Sequence, residues 1–281
     1  MKKKTSSGPV SKRKSVIAFV FLLLCSLAML FPFVWMSLSA FKTTADVYAY
    51  PPRWIPSEWT WDNFKKVFST IPFWRYYGNS ILTSVVQTAL QIGISILAAY
   101  SLVHLRYPGK AAVYALMRSS MFVPMVVTMI PMYLMVASAG MLNTYAGIIL
   151  PQISTAFTTF LLMSYFASVP KDMIDAAKLD GCSLMSVLTR VVIPNTKGAI
   201  STATLFSFLG NWKSYTWPLI VTTKTEYRTL PIGLKYLMQE SSSEYQAMMA
   251  ASLMAILPVL IVFIFFEKQL VRSITLTGMK A

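Results

Sequence analysis

Histidine, cysteine and acidic residues are scarce in this chain, and each scarcity closes a class of function. Only one histidine, His104, stands among 281 residues, which excludes a histidine-rich metal site and leaves it the reading of a loop residue. The two cysteines, Cys25 within a hydrophobic run and Cys182 in a polar loop, do not make a disulfide framework. No cluster of His, Asp, Glu or Cys falls at metal or acid–base spacing near the ends of the hydrophobic runs, which weighs against a membrane-bound enzyme. A Gly-rich phosphate loop ending in Lys-Ser or Lys-Thr is also missing, so ATP hydrolysis by that device belongs elsewhere. Neither a metal nor an organic cofactor is expected.

Charge as a whole is thin at 12% of residues, against 56% hydrophobic. A soluble domain with uncharged runs of this length would not stay in solution, so the class is integral membrane protein. The formal charge of +15 would point to nucleic acid on a soluble protein. Here it reads as lysine and arginine held on the cytoplasmic side of a membrane.

The runs predict an all-α polytopic fold with six transmembrane helices. Residues 1–15 form a basic tail rich in Ser, Gly and Pro. Val16–Ala40 has 25 residues without a charge, too long for a signal-peptide core and long enough to span, with a kink expected at Pro32. Residues 41–77 follow as an extracytoplasmic, aromatic-rich loop, read as an interfacial belt or, alternatively, a carbohydrate-stacking surface. Within it, 60–69 suits a short amphipathic helix. The core, 78–267, holds spans at 79–103, 112–139, 144–168, 199–221 and 246–266. Between them lie a loop at 169–197 and an outer loop at 222–245, and a tail at 268–281 ends the chain. Ser119–Pro170 contains 52 residues without a charge, right for two spans divided near Gly140–Asn143. Met121, Met125, Met129 and Met132 form a helical stripe read as adaptable packing. With both termini cytoplasmic, 15 of the 25 lysines and arginines fall inside and 8 outside.

Polar side chains in lipid are costly, so those within spans mark the bundle interior or a pathway. Gln87 and Gln91 are four apart and share one helix face. Asn211, Trp212 and Lys213 lie in an interruption of the fifth span. These five are the candidate pathway residues.

The polar stretch 169–197 carries most of the signal. Pro170 suits a first helical position, Asp172 the positive end of a helix dipole, and Gly181 a left-handed C-terminal cap. Ser183 then caps a second helix, with Leu184, Val187, Leu188 and Val191 on one face and Pro194 as its end. Two short helices around a glycine corner make a knob suited to another protein's groove.

The same residues carry a resemblance. Asp175-Ala176-Ala177, three free positions, Gly181, nine free positions, Val191, one free position and Ile193-Pro194 resemble the "EAA" loop of ABC-importer permeases. Asp175 stands in place of the usual glutamate. Further stretches resemble the carbohydrate importers of that family, of the maltose-permease kind: Ser39–Thr43 with Pro51–Pro56, Trp61–Phe64, Trp217–Ile220, Thr229–Leu234, and the tail from Leu270. The resemblance implies a coupling helix that inserts into a cleft on an ATP-binding subunit through Asp175, Ala176, Ala177, Asp180, Gly181, Leu184, Leu188 and Pro194. It further implies a second homologous permease, an extracytoplasmic solute-binding protein, a bacterial inner-membrane location and a di- or oligosaccharide cargo. Glycerol phosphate or an acidic sugar remains an alternative because of Lys213 and Arg228, and a stand-alone secondary transporter is the rival class.

Overall fold

A backbone in lipid has no water to bond, so the helix is the economical way for apolar runs to cross. The structure, a computed structural model, describes residues 12–240 and 245–278, and every regular element among them is helical. Expectations for the basic tail before residue 12, for 241–244 of the outer loop and for the last three residues fall outside the described residues.

In chain order, α1 is Lys12–Ser39, α2 is Thr44–Val47 and α3 is Asp62–Thr70. The long α4 is Phe73–His104, and α5 (Lys110–Ser120) and α6 (Met125–Ser138) follow it. Next come α7 (Tyr145–Ile149), which runs into a 3-10 turn at Leu150–Gln152, and α8 (Ala156–Phe166). The polar loop supplies α9 (Lys171–Leu179), α10 (Leu184–Val187), a π turn at Leu188–Val192 and α11 (Ile193–Asn195). The chain ends through α12 (Lys197–Trp212), α13 (Thr216–Val221), α14 (Leu230–Glu240) and α15 (Tyr245–Gly278).

The helices divide into two compact units. The first comprises residues up to Thr70 together with Leu237–Met254. Its α1 continues as helix through Pro32, and its apolar side chains from Val16 to Val34 are mostly exposed, as a lipid-facing span requires. After α1 the chain folds on polar contacts rather than a long helix. Asn63 on α3 donates to the carbonyls of Ala40 and Lys42, both at 2.9 Å. The buried Asp46 carboxylate accepts from Ser57 Oγ at 2.7 Å, from the Ser57 N–H at 2.9 Å and from Arg53 at 2.8 Å. The aromatic residues of this segment pack largely on one another: Phe41 meets Trp59, Trp61 and Phe64 within 5.6 Å, and Trp54 meets Phe31 and Trp35 edge-on.

The second unit, Ile71–Tyr236 with the remainder of α15, is centred on α4, which packs against α8 and α12. Three expected spans are less regular than the sequence suggests. The expected span 112–139 is two helices, α5 and α6, bent by 107° at residues 121–124. Pro124 lacks the N–H to continue the first helix, so the methionine stripe is not one stripe: Met121 lies in the break, while Met129 and Met132 pack on Val136, Ile148 and Trp217. The expected span 144–168 is bent by 46° between the 3-10 turn and α8. In the expected span 199–221 the helix runs straight through Gly210-Asn211-Trp212 and breaks only at Lys213–Tyr215. Its α12 has 16 residues, roughly 24 Å at the usual rise, which is short of a full crossing. Among the described residues, three helices are long and apolar enough to cross a membrane, or up to five if each bent pair is one span. The outer segment 222–245, expected to be loop, contains α14, with Pro231 in its first turn where no donor is needed. His104, expected in a loop, is the last residue of α4.

The Asp46 cluster gives the segment after α1 a defined acid response. The Ser57 hydroxyl, then the Ser57 N–H, and to a smaller extent Arg53 hold its carboxyl at about 2, below the ordinary 3.8. A depressed carboxyl contributes stability that is complete above its unfolded value and is lost as pH falls through the folded one. Amide exchange of the peptide 53–57, corrected for intrinsic rates, should therefore stay protected until pH approaches about 2. Ser57→Ala should move that loss upward, toward the unfolded carboxyl range.

Candidate functional site

The polar loop is built as a knob with an anchored inside and an apolar outside. Pro170 precedes α9 as its N-cap rather than entering it. At the other end Gly181 has φ 77°, which a residue without Cβ adopts freely. The Gly181 N–H donates to the Lys178 carbonyl and the Cys182 N–H to that of Ala177, both at 3.0 Å, which is a Schellman closure. Ser183 Oγ accepts the Ser186 N–H at 3.3 Å and caps the next helix.

That second helix departs from the expected pattern in two ways. It does not end before Pro194 but continues to Asn195, passing through the π turn Leu188–Val192. Pro194 has no N–H to give the Arg190 carbonyl, and the wider turn sits directly before it. The extra residue in the turn shifts the buried face beyond it: Val187, Leu188 and Val192 point in and Val191 is half-buried, while Leu184, ahead of the turn at the start of the helix, is 53% exposed.

The inward residues join Ile174 of α9, Tyr100 of α4 and Phe166 of α8 in one apolar cluster. Ala177 and Cys182 pack against it as well. Of the expected coupling residues, Leu188 and Ala177 therefore serve the inside of the knob. Asp175, Ala176, Asp180, Gly181, Leu184 and Pro194 are exposed, and Asp175 pairs with Lys178 at 3.3 Å. Beside them stand three exposed apolar side chains that the motif did not single out, Met173, Leu179 at 89% and Met185.

The candidate pathway residues fall into three settings. Gln87 and Gln91 on α4 are 4% and 3% exposed. Gln87 Nε2 donates to Asn211 Oδ1 at 2.9 Å. Asn211 Nδ2 in turn donates to Thr88 Oγ1 at 2.9 Å and to Gln91 Oε1 at 3.1 Å. Gln91 Nε2 closes the chain on the Gln152 carbonyl at 2.6 Å, the bend between α7 and α8. These amides bind α4 to α12 and to the bend. Trp212 is buried in an aromatic stack, 6.0 Å from Phe208 and edge-on to Tyr77. Lys213 takes no part in the network: it is exposed, at the C-cap of α12.

The same face of α4 continues toward its N-terminus with further residues that pair, which the sequence pattern did not single out. Asn79 Nδ2 donates to the carbonyls of Glu226 and Arg228, both at 2.8 Å, and its Oδ1 accepts from the Tyr145 hydroxyl at 2.8 Å. Ser80 Oγ accepts the Leu230 N–H at 2.7 Å. Asn143, at φ 56°, accepts the N–H groups of Thr223 and Lys224 through one oxygen at 2.7 and 2.8 Å. The segment 223–230 is thus tied to the bundle at several points. A signal was available: polar residues recur at three- and four-residue spacing from Asn79 to Ser95 inside an apolar run.

Residues 91–276 match the family described as binding-protein-dependent transport system inner membrane component. The protein belongs to this family. It is 31% identical, over 89% of its length and 89% of the relative's, to the sulfoquinovosyl glycerol transport system permease protein SmoH of Agrobacterium fabrum. It is 29% identical, over the whole of both chains, to the arabinooligosaccharides transport system permease protein AraQ of Halalkalibacterium halodurans. Its fold is similar, at a TM-score of 0.79 and 24% identity, to a chain of a bacterial ABC transporter involved in the import of the acidic polysaccharide alginate, covering 93% of this chain and 99% of that one. The protein is a membrane permease component with the all-α ABC permease fold.

For a permease, the split among the five polar candidates has a measurable consequence. Asn211→Leu strands donors and acceptors on Gln87, Thr88 and Gln91, and should lower stability by about 1 kcal/mol or more. Lys213→Met strands nothing and should leave the thermal midpoint of the detergent-purified permease unchanged.

Proposed function

We propose that this permease forms half of the translocation pathway of a carbohydrate importer and takes its drive from ATP through the 169–197 knob. The observation that carries the reading is the two-sidedness of that knob. Ile174, Val187, Leu188 and Val192 anchor it to α4 and α8, while Met173, Leu179, Leu184 and Met185 are left in the open around Asp175 and Ala176. Apolar side chains exposed on a rigid polar loop fit a groove on a partner, here the ATP-binding subunit that hydrolyses ATP. A second homologous permease completes the pathway, and an extracytoplasmic solute-binding protein delivers cargo to its outer side. The chain crosses the membrane six times with both termini on the knob's side, the cytoplasmic one. The lysine and arginine bias supports that topology, and the bent pairs account for spans that no single helix provides.

A di- or oligosaccharide cargo is supported by the relatives, whose names include arabinooligosaccharides, diacetylchitobiose and lactose transport systems. An acidic cargo is the second reading, favoured by the exposed Lys213 at the break between α12 and α13. Arg228 adds less to it. Its guanidinium is held over the Tyr236 ring at 4.5 Å and donates to the Thr223 carbonyl at 3.2 Å.

The coupling assignment is tested at Ala176 and Gly181. Ala176 is exposed, so Ala176→Trp should block docking sterically without disturbing the cluster beneath; Ala177, which packs on that cluster, is unsuited to the test. Gly181→Val should misalign the two short helices, because a β-branched residue is strained at φ 77°. Both variants should reach the membrane at normal levels, co-purify with less ATP-binding subunit and lose ATP-driven sugar uptake. Full recovery of that subunit with normal uptake in both would remove the assignment.

A further inference from the structure

The segment that follows α1 presents an apolar tip that none of the roles above uses. Trp54 packs edge-on against Phe31 and Trp35 of α1, with ring centres 5.9 and 5.5 Å apart. Trp59, only a few residues on, packs instead against Phe41, beyond the end of α1, at 5.6 Å. The chain therefore climbs between Trp54 and Trp59, by roughly 9–15 Å along the helix axis at the usual rise per residue. Trp54 marks the bottom of a dip alongside the span.

The dip is held by polar contacts on its inner side. Lys42 reaches back along α1, where its Nζ lies 3.9 Å from the centre of the Trp35 ring and donates to the Arg53 carbonyl at 2.6 Å. The buried Asp46 carboxylate accepts from Arg53 at 2.8 Å and from the Ser57 N–H at 2.9 Å. Between these ties the tip, Trp54-Ile55, is 60% and 67% exposed. Pro51, Pro52 and Pro56 flank it, and none of them has an N–H that would need a partner away from water.

We propose that Trp54 and Ile55 form a wedge inserted into the bilayer, in the leaflet reached by the C-terminal end of α1. Its partner is phospholipid, at the margin between ester groups and acyl chains. The depth follows from α1. The uncharged run Val16–Ala40 has 25 residues. Such a helix is roughly 37 Å long against roughly 30 Å of hydrocarbon, and overruns it by about 4 Å at each end when centred. Phe31 and Trp35, with Trp54 beside them, then lie about 4–10 Å inside the boundary, the depth that interfacial segments reach. A ring in a headgroup belt would stand level with the end of α1 rather than below it. A sugar would need hydrogen-bonding side chains beside the stacking ring, whereas Arg53 is paired with Asp46 and the other neighbours are isoleucine and prolines. The exposed apolar side chains of α1 from Val16 to Val34 run on into the wedge, and this continuity with a lipid-facing span selects lipid over a protein groove.

Spin labelling reads the depth directly. Cys25 and Cys182 are replaced by serine, and a nitroxide is placed at Ile55→Cys or, for comparison, at Glu58→Cys on the rising side. Both substitutions fall on exposed side chains. The labelled permease is assembled with cysteine-free partner subunits in nanodiscs of phosphatidylethanolamine and phosphatidylglycerol. Collision of the label with oxygen, which concentrates among acyl chains, is compared with collision with a water-soluble nickel chelate. The ratio of oxygen to chelate collisions should be severalfold higher at position 55 than at 58. An equal ratio at the two positions would overturn the proposal by putting the tip in water, where a sugar-stacking surface belongs. A label at 55 that neither reagent reaches would overturn it too, by showing the tip covered by protein.

Discussion

In a membrane, a polar side chain inside a helix has to find its partner within the protein, and α4 concentrates that demand on one face. From Asn79 to Ser95 its buried side presents amides and hydroxyls to α8, α12 and the segment after α13. An unpaired group in hydrocarbon is costly enough that the positions of these neighbours follow from it. The N-terminal end of the face holds residues 226–230 through Asn79 and Ser80. The middle holds Asn211 through Gln87, Thr88 and Gln91. Further along, the face becomes apolar, and Ala99, Tyr100 and Leu102 are buried there. Tyr100 and Ala99 belong to the cluster that carries the knob. One helix thus touches the segment 226–230, the helix that ends at Lys213 and the cluster beneath the knob.

The breaks in the neighbouring helices fit the same logic. Irregular backbone at membrane depth is tolerated where it is buried in protein or lines an aqueous cavity. At the bend after the 3-10 turn, the Gln152 carbonyl freed from the helix ladder is taken by Gln91. Near the end of α7, the Gly147 carbonyl is taken by the Trp217 indole at 3.1 Å. A Cβ at Gly147 would run into the Met141 backbone, so the close approach there depends on glycine.

The sequence was most legible where a local rule acts alone. The glycine corner at Gly181, the serine cap at Ser183 and the long helices α1, α4 and α15 follow from turn chemistry, capping and apolar length. It was least legible where partners lie far apart in the chain. Nothing local distinguishes Gln87, which bonds Asn211 124 positions on, from a glutamine lining a channel. Lys213 looked like a member of the same group because it adjoins Asn211 and Trp212, yet helix geometry turns it away from both. The π turn before Pro194 likewise shifted the buried face of the second short helix. Periodicity assumes a regular helix, and one inserted residue is enough to move the inward position from Val191 to Val192, whereas Leu184 is exposed at the start of the helix, outside the cluster. In Ala177 the motif and the packing overlap: its small size serves the knob's interior as well as its surface.

The central claim, that the polar face of α4 pairs inside the chain, is most directly tested by a double-mutant cycle. Gln87→Leu, Asn211→Leu and the double variant would be compared by unfolding in detergent. Each single substitution strands the other residue's amide, whereas the double removes both members of the pair. The account predicts that the double variant is less destabilised than the sum of the singles by about 1 kcal/mol. Strict additivity of the two substitutions would contradict it.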